Sequence, residues 1–144
     1  MPYATQPQIV IACGGQAAFD QLFDYDGDGV ADATVIAQAQ TAADALINSY
    51  LWLRYKTVDN PSPVLQMLAA DEAVFYARKY RPALGVTPDD VKQQEMRIAT
   101  LEKMSRGEIR PDDPAPPSSN AGNRAVFVDN CSDMSRANSK GSIW

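Results

Sequence analysis

The apolar positions up to about Arg106 follow the period of an amphipathic helix and predict an all-α fold, a small bundle of four to five helices. The strongest prediction is a long helix over about residues 33–55. Its apolar positions recur at i, i+3, i+4 and i+7, as on a helix with one buried face: Val35, Ile36, Ala39, Ala43, Leu46, Ile47, Tyr50 and Leu51. The frequent alanines on this face let neighbouring helices approach closely.

Two shorter helices are predicted before the long one. The first begins after the N-cap Thr5, has Pro7 in its first turn and is stopped by Gly14-Gly15. The second covers about residues 16–23, with apolar residues on a helical spacing. Asp32 is then well placed to cap the long helix, because a negative charge is favourable at a helix N-terminus.

Two further helices are predicted after the long one, over about residues 63–80 and 88–106. The apolar side of the former comprises Val64, Leu65, Leu68, Ala69, Phe75 and Tyr76. The last helix begins with Thr87 as cap and Pro88 at its first position, and it stops at Gly107. Its apolar stripe is thin, which predicts a position on the outside of the bundle: Val91, Ile98, Leu101 and Met104.

The composition changes after Gly107, and residues 111–122 are rich in proline. We therefore predict a helical domain over residues 1–110 and a Pro-rich linker with an extended C-terminal arm over residues 111–144. The arm carries Phe127, Ile143 and Trp144, large apolar groups of the kind that anchor a chain on a partner. The alternative is that they fold back onto their own helices.

Trp52 falls off the apolar stripe of the long helix and lies beside Leu53. It would be exposed in a monomer, which favours a contact surface. The basic cluster Arg78-Lys79-Arg81 ends a predicted helix, where cations are stabilised without any ligand.

The net charge is −5, and five acids without a base lie between Asp20 and Asp32. A chain of this charge lacks the positive surface that phosphate binding needs, so sequence-specific nucleic-acid binding is disfavoured. There is no histidine and no nucleotide-binding or nucleophile-elbow motif, which favours a protein that is not an enzyme. Cys13 and Cys131 lack CxxC spacing and are expected to be reduced thiols of a cytosolic product. No membrane span and no targeting segment is expected.

Residues 24–32 place four carboxylates at alternating or near-alternating positions among glycines. The spacing is similar to the first half of an EF-hand calcium loop, in which side chains at positions 1, 3, 5 and 9 and a carbonyl at position 7 bind the ion. The candidate metal ligands are Asp24, Asp26, Asp28, Asp32 and the Val30 carbonyl. Position 12, which needs a bidentate Glu, falls on Val35. A calcium ion that stiffens this loop and a solvated turn without metal are both open.

Three motifs follow one another along the chain: the opening residues 1–6, the acidic loop at residues 24–32, and the run Tyr50-Leu51-Trp52-Leu53-Arg54-Tyr55. Together they resemble the Mu-type phage family of small neck proteins, over about residues 1–110. The resemblance implies a structural virion protein, a head-tail connector or head-completion adaptor.

The resemblance also implies a homo-oligomer, a dodecameric ring below the portal protein, joined to a tail-side connector or tail terminator. DNA would pass through as cargo, and acidic walls would repel its phosphates. The protein would be assembled in the host cytoplasm and reside in the neck of the virion. The alternative function is a calcium-stabilised helical binding module.

Overall fold

The computed structural model describes residues 1–81 and 83–112, and five α-helices make up this part of the chain. In chain order they are α1 (Gln6–Cys13), α2 (Gln16–Phe23), α3 (Ala33–Leu51), α4 (Pro63–Tyr80) and α5 (Pro88–Arg106). No β-strand occurs within the described residues, where an isolated antiparallel bridge joins Pro61 to Asp112. The predicted all-α bundle is confirmed.

The helix ends follow the capping signals of the sequence. The Thr5 N–H donates to the Gln8 side chain at 2.8 Å, and α1 ends at Gly14, whose φ of 93° suits a residue without Cβ. At α5, the Asp90 N–H donates to the Thr87 hydroxyl while the Asp90 carboxylate accepts the Thr87 N–H at 2.9 Å. These reciprocal bonds satisfy N–H groups that have no partner inside the helix.

Helix α4 is the centre of the bundle, because it contacts each of the other four helices. Its small residues allow this close approach on several sides, and its buried apolar residues are Leu65, Leu68, Ala69, Ala70, Ala73, Val74, Phe75 and Ala77. The apolar faces of the other helices close around it. Their buried apolar residues are Ile9, Phe19, Leu22, Phe23, Ile36, Ala39, Ala43, Ile47, Leu51, Leu101 and Met104.

Three predictions about helix faces and ends are wrong. Helix α3 ends at Leu51 instead of Tyr55, because the Arg54 N–H bonds to the Leu51 carbonyl three residues back and not to the carbonyl four residues back that would continue the helix. Val64 is 48% exposed, since α4 turns other residues toward its neighbours. Val91 is 43% exposed and lies outside the contact made by α5.

Helix α5 packs on the bundle through apolar residues in its C-terminal half and through polar residues near its middle. Its buried residues are Arg97, Leu101 and Met104. Arg97 donates to the Glu72 carboxylate of α4 at 3.3 Å, where Glu72 is 1% exposed, and Gln94 donates to the same carboxylate at 3.2 Å. Within the described residues the Arg97 Nε–H is buried without a partner. A buried ion pair is therefore a principal tie between α4 and α5.

After α5 the chain returns to the start of α4. Pro111 is fully buried, and its carbonyl accepts the Ser62 N–H at 2.7 Å. Most of the predicted arm over residues 111–144 lies outside the described residues, so the boundary at residue 110 stays a prediction. No helix in the described part of the chain is long and apolar enough to span a membrane.

Replacing Glu72 with Ala is expected to lower the free energy of unfolding by about 3–5 kcal/mol, because it leaves the Arg97 charge buried and unpaired. The matched control is Glu102→Ala. It breaks the exposed Glu102–Arg106 pair, at 3.8 Å, and is expected to cost less than about 1 kcal/mol. Urea denaturation measures both. Equal losses would contradict the prediction, whereas the double variant Glu72→Leu/Arg97→Met should recover most of the stability.

Candidate functional site

The acidic loop between α2 and α3 is organised around Asp24, which is 9% exposed. Its carboxylate accepts the Gly27 N–H at 2.6 Å and the Gly29 N–H at 2.9 Å. Both glycines have a positive φ, 82° and 88°, so the chain can wrap around this side chain. The Asp32 N–H donates to the Phe23 carbonyl at 3.0 Å and closes the loop.

The other carboxylates of the loop also accept backbone N–H groups. Asp26 accepts the Asp28 N–H at 3.1 Å, and Asp28 accepts the Val30 N–H at 2.8 Å. Asp32 occupies the N-cap position of α3, but its carboxylate accepts the N–H of Tyr25 at 2.8 Å and none from the helix. Asp32 is therefore the N-cap residue of α3, as predicted, while its carboxylate bonds to Tyr25 instead of to the helix.

The structure brings together three of the predicted metal ligands. One carboxylate oxygen from each of Asp24, Asp26 and Asp28 lies within 4.8 Å of the others, a group that does not include Asp32. Oxygen donors of this kind suit calcium, which takes six to eight of them. With one oxygen from each, these three carboxylates supply fewer donors than that, and Val35 at position 12 lies within α3 and has no carboxylate.

Two of these carboxyl groups are shifted in opposite directions. The hydrogen bonds from the Gly29 and Gly27 N–H groups lower the pKa of Asp24. The Asp28 N–H lowers the pKa of Asp26 as well, but partial desolvation and the nearby charges of Asp28 and Asp32 outweigh it, so its pKa is raised. The ionised Asp24 carboxylate therefore stabilises the folded loop. The ionised Asp26 carboxylate does not, because the charges of Asp28 and Asp32 repel it.

The predicted contact residue Trp52 lies in the turn that follows α3. It is 63% exposed and the adjacent Leu53 is 97% exposed. A cavity of about 340 Å³ is lined in part by Trp52. One wall of it is fixed by Tyr3, whose N–H donates to Asp44 at 3.2 Å and whose hydroxyl donates to Asn48 at 2.6 Å. The structure therefore leaves Trp52 and Leu53 exposed, as predicted for Trp52 in the single chain.

The remaining predicted anchors, Phe127, Ile143 and Trp144, lie outside the described residues. The basic cluster has structural partners: Arg78 pairs with Asp90 at 2.8 Å, and Arg81 donates to the Leu22 carbonyl at 3.1 Å. Burial raises the pKa of the Cys13 thiol to about 11, so little of it is thiolate at neutral pH.

Sequence reasoning missed a second exposed apolar surface, between α1 and α4. Ile11 is 78% exposed and Met67 is 67% exposed. The one signal for it was the run Ile9-Val10-Ile11, which is too apolar for a helix with a single buried face. Met67 lies off the predicted apolar side of α4, but the spacing alone does not show whether another helix covers it.

A helical bundle that exposes large apolar side chains, as this one does, suits a protein that binds other proteins. The chain belongs to the bacteriophage Mu Gp36 family, whose sequence profile matches residues 3–129. This membership confirms the predicted Mu-type phage family and indicates a structural phage protein associated with the virion. None of the curated proteins compared with the chain matches it significantly.

Asp24→Asn is expected to lower the melting temperature at pH 7, because an amide NH₂ then faces one of the two glycine N–H donors. The pKa of Asp24 is lower in the folded protein, so its contribution is present above the unfolded pKa of about 3.9 and is lost as the pH falls through the folded value. The difference in melting temperature between the variant and the unsubstituted protein should therefore become smaller below about pH 4.

Asp26→Asn is the matched control for that experiment. Its pKa is raised, so removing its charge in metal-free buffer should not lower the melting temperature. Thermal melts followed by circular dichroism measure both variants. Equal destabilisation by the two substitutions would contradict the assigned roles.

Proposed function

We propose that this protein is a head-to-tail adaptor that forms a ring below the portal in the neck of a tailed phage, with DNA passing through the ring. The observation that carries the proposal is the family match over residues 3–129. Such an adaptor is a structural part of the virion neck and has no catalytic role. Its work is to present fixed contact surfaces to proteins above and below it.

The exposed turn at Trp52 and Leu53 supports this role. A tryptophan is a frequent hot-spot residue in protein interfaces, because its large ring buries much apolar surface with little loss of side-chain freedom. Trp52 directly follows Leu51, which is buried and is the last residue of α3. The Trp52 N–H donates to the Asn48 carbonyl at 2.9 Å, so the backbone of this anchor is ordered before docking, which lowers the entropic cost of binding. We therefore assign Trp52 to the contact with the portal or with a tail-side connector.

The charge of the chain supports passage of DNA as cargo. Five acids lie between Asp20 and Asp32, and among them Asp26 and Asp28 are exposed. A channel wall with such a surface repels the phosphate backbone, so the duplex is not retained. Repetition of the loop around a dodecameric ring would multiply this repulsion.

The C-terminal segment provides the second proposed contact. Phe127, Ile143 and Trp144 would anchor it on the portal, on a tail-side connector or on a tail terminator. Weak contacts of this kind gain strength when every subunit of a ring makes one, because the contacts after the first are effectively intramolecular.

The test is co-purification of the full chain with the portal protein encoded nearby, with mass measured by light scattering. We expect a ring-sized complex. Trp52→Ala should weaken it by at least about tenfold, the usual cost of truncating a hot-spot residue, without lowering the melting temperature. The matched control is Tyr80→Ala, since Tyr80 is 62% exposed at the end of α4 and has no proposed contact.

Truncation after Asp112 is the second arm of this experiment. Loss of the complex on truncation supports docking by the C-terminal segment. A chain that never enters a complex with the portal would overturn the adaptor proposal.

We propose as a second candidate a calcium-stabilised helical binding module. The close approach of the Asp24, Asp26 and Asp28 carboxylates, within 4.8 Å, is the observation in its favour. Three like charges this close repel one another, and a divalent cation would remove that repulsion and stiffen the loop between α2 and α3.

Calcium is then expected to raise the melting temperature of the unsubstituted protein relative to buffer with chelator. The double variant Asp26→Asn/Asp28→Asn should lose this increase, whereas Asp59→Asn/Asp89→Asn, at two exposed positions outside the loop, should keep it. Identical melting temperatures with and without chelator would eliminate the calcium proposal.

A further inference from the structure

An apolar groove of about 220 Å³ lies between α1 and α4. Its lining is formed by Gln8, Ile11, Ala12, Met67, Ala70 and Asp71. Ile11 and Met67 are largely exposed, at 78% and 67%. Two large apolar side chains beside a recess of small residues form a surface into which an apolar side chain can insert.

Asp71 gives this groove a charge. It is half-buried on α4, and it makes no hydrogen bond or ion pair with the residues that the structure describes. Burial raises its pKa, while the charge of Arg97 partly opposes that effect. A carboxylate at the end of an apolar groove favours an occupant that carries a positive charge next to an apolar group.

The chain itself presents such a combination on α5. Lys92, Met96, Ala99 and Lys103 are exposed and recur at i, i+4, i+7 and i+11, so they form one ridge. This ridge lies away from the buried residues of α5. Met96 is 71% exposed, and Lys92 makes no ion pair or hydrogen bond within residues 1–81 and 83–112.

We infer that the α5 ridge of one copy of this chain packs into the α1/α4 groove of a second copy. Met67 and Asp71 are one helical turn apart on α4, as Lys92 and Met96 are on α5. With the two helices antiparallel, Lys92 reaches Asp71 while Met96 enters between Ile11 and Met67. Rows of residues four apart packing into the grooves of a facing helix are the commonest way in which helices associate.

The contact joins two different surfaces of the chain. Each copy therefore offers a groove to one neighbour and a ridge to another, and such a contact forms a ring when the rotation between neighbouring copies closes on itself. The inference rests on the proposed function for the ring, but the contact between copies can be tested without the portal.

Disulfide trapping tests the contact directly, because the cross-linked product accumulates over time even when the contact is weak. In a background with Cys13→Ser and Cys131→Ser, one protein carries Met67→Cys and another carries Met96→Cys. Mixed under mild oxidation, they should form a cross-linked dimer at least about tenfold faster than Met67→Cys mixed with the exposed control Tyr80→Cys, since a specific contact raises the effective concentration of the two thiols. Equal rates for the two mixtures would overturn the inference.

A charge exchange tests the pairing of Asp71 with Lys92. Asp71→Lys alone and Lys92→Glu alone should each slow the cross-link by about tenfold, because each places like charges together. Introducing Asp71→Lys in the Met67→Cys protein and Lys92→Glu in the Met96→Cys protein should restore the rate. A combination no faster than the single variants would refute the pairing. Melting temperatures show whether each variant is folded. If Asp71→Lys does not fold, Asp71→Asn replaces it and should slow the cross-link by a smaller factor.

The two proposals can fail separately. A restored cross-link in a chain that never binds the portal supports the contact between copies and removes the adaptor function. A complex with the portal in a chain without the cross-link leaves the adaptor function and removes this contact.

Discussion

The burial of α4 on several sides is the constraint on which the rest of the structure depends. This helix contacts all four others, and its alanines let them approach closely. Packing of small residues against the apolar faces of α1, α2 and α3 fixes where each of these helices lies. This burial includes a charged group, because Glu72 also lies on α4 and is only 1% exposed. Arg97 of α5 is therefore needed to neutralise it.

The same packing explains why apolar side chains remain exposed. Because α4 is covered elsewhere, Met67 and Ile11 border an open groove, and the turn after Leu51 leaves Trp52 and Leu53 outside the core. Exposed apolar groups on a rigid base are favourable for docking, because little order has to be imposed on binding. A phage structural protein that meets several neighbours benefits from having two such surfaces.

Much of the fold and part of the site could be predicted from the sequence. The predicted starts of all five helices agree with the structure. At α1, α4 and α5 the signal is local, since proline and the capping residue act on the backbone next to them. The acidic loop was also predicted, because glycine and aspartate shape a turn locally. The hydrogen-bond partner of the Asp32 carboxylate was not predictable, since it is the N–H of Tyr25, seven residues away in the chain.

The sequence by itself determined the helices, the tight acidic loop and the family, because these depend on local backbone preferences and on the order of short motifs. Only the tertiary structure decided that α4 is central, that Glu72 pairs with Arg97, and that Val64 is exposed while Leu65 is buried. The physical reason is the same in each case. Which face of a helix is covered depends on where the other helices pack, and their positions follow from contacts between residues far apart in the chain.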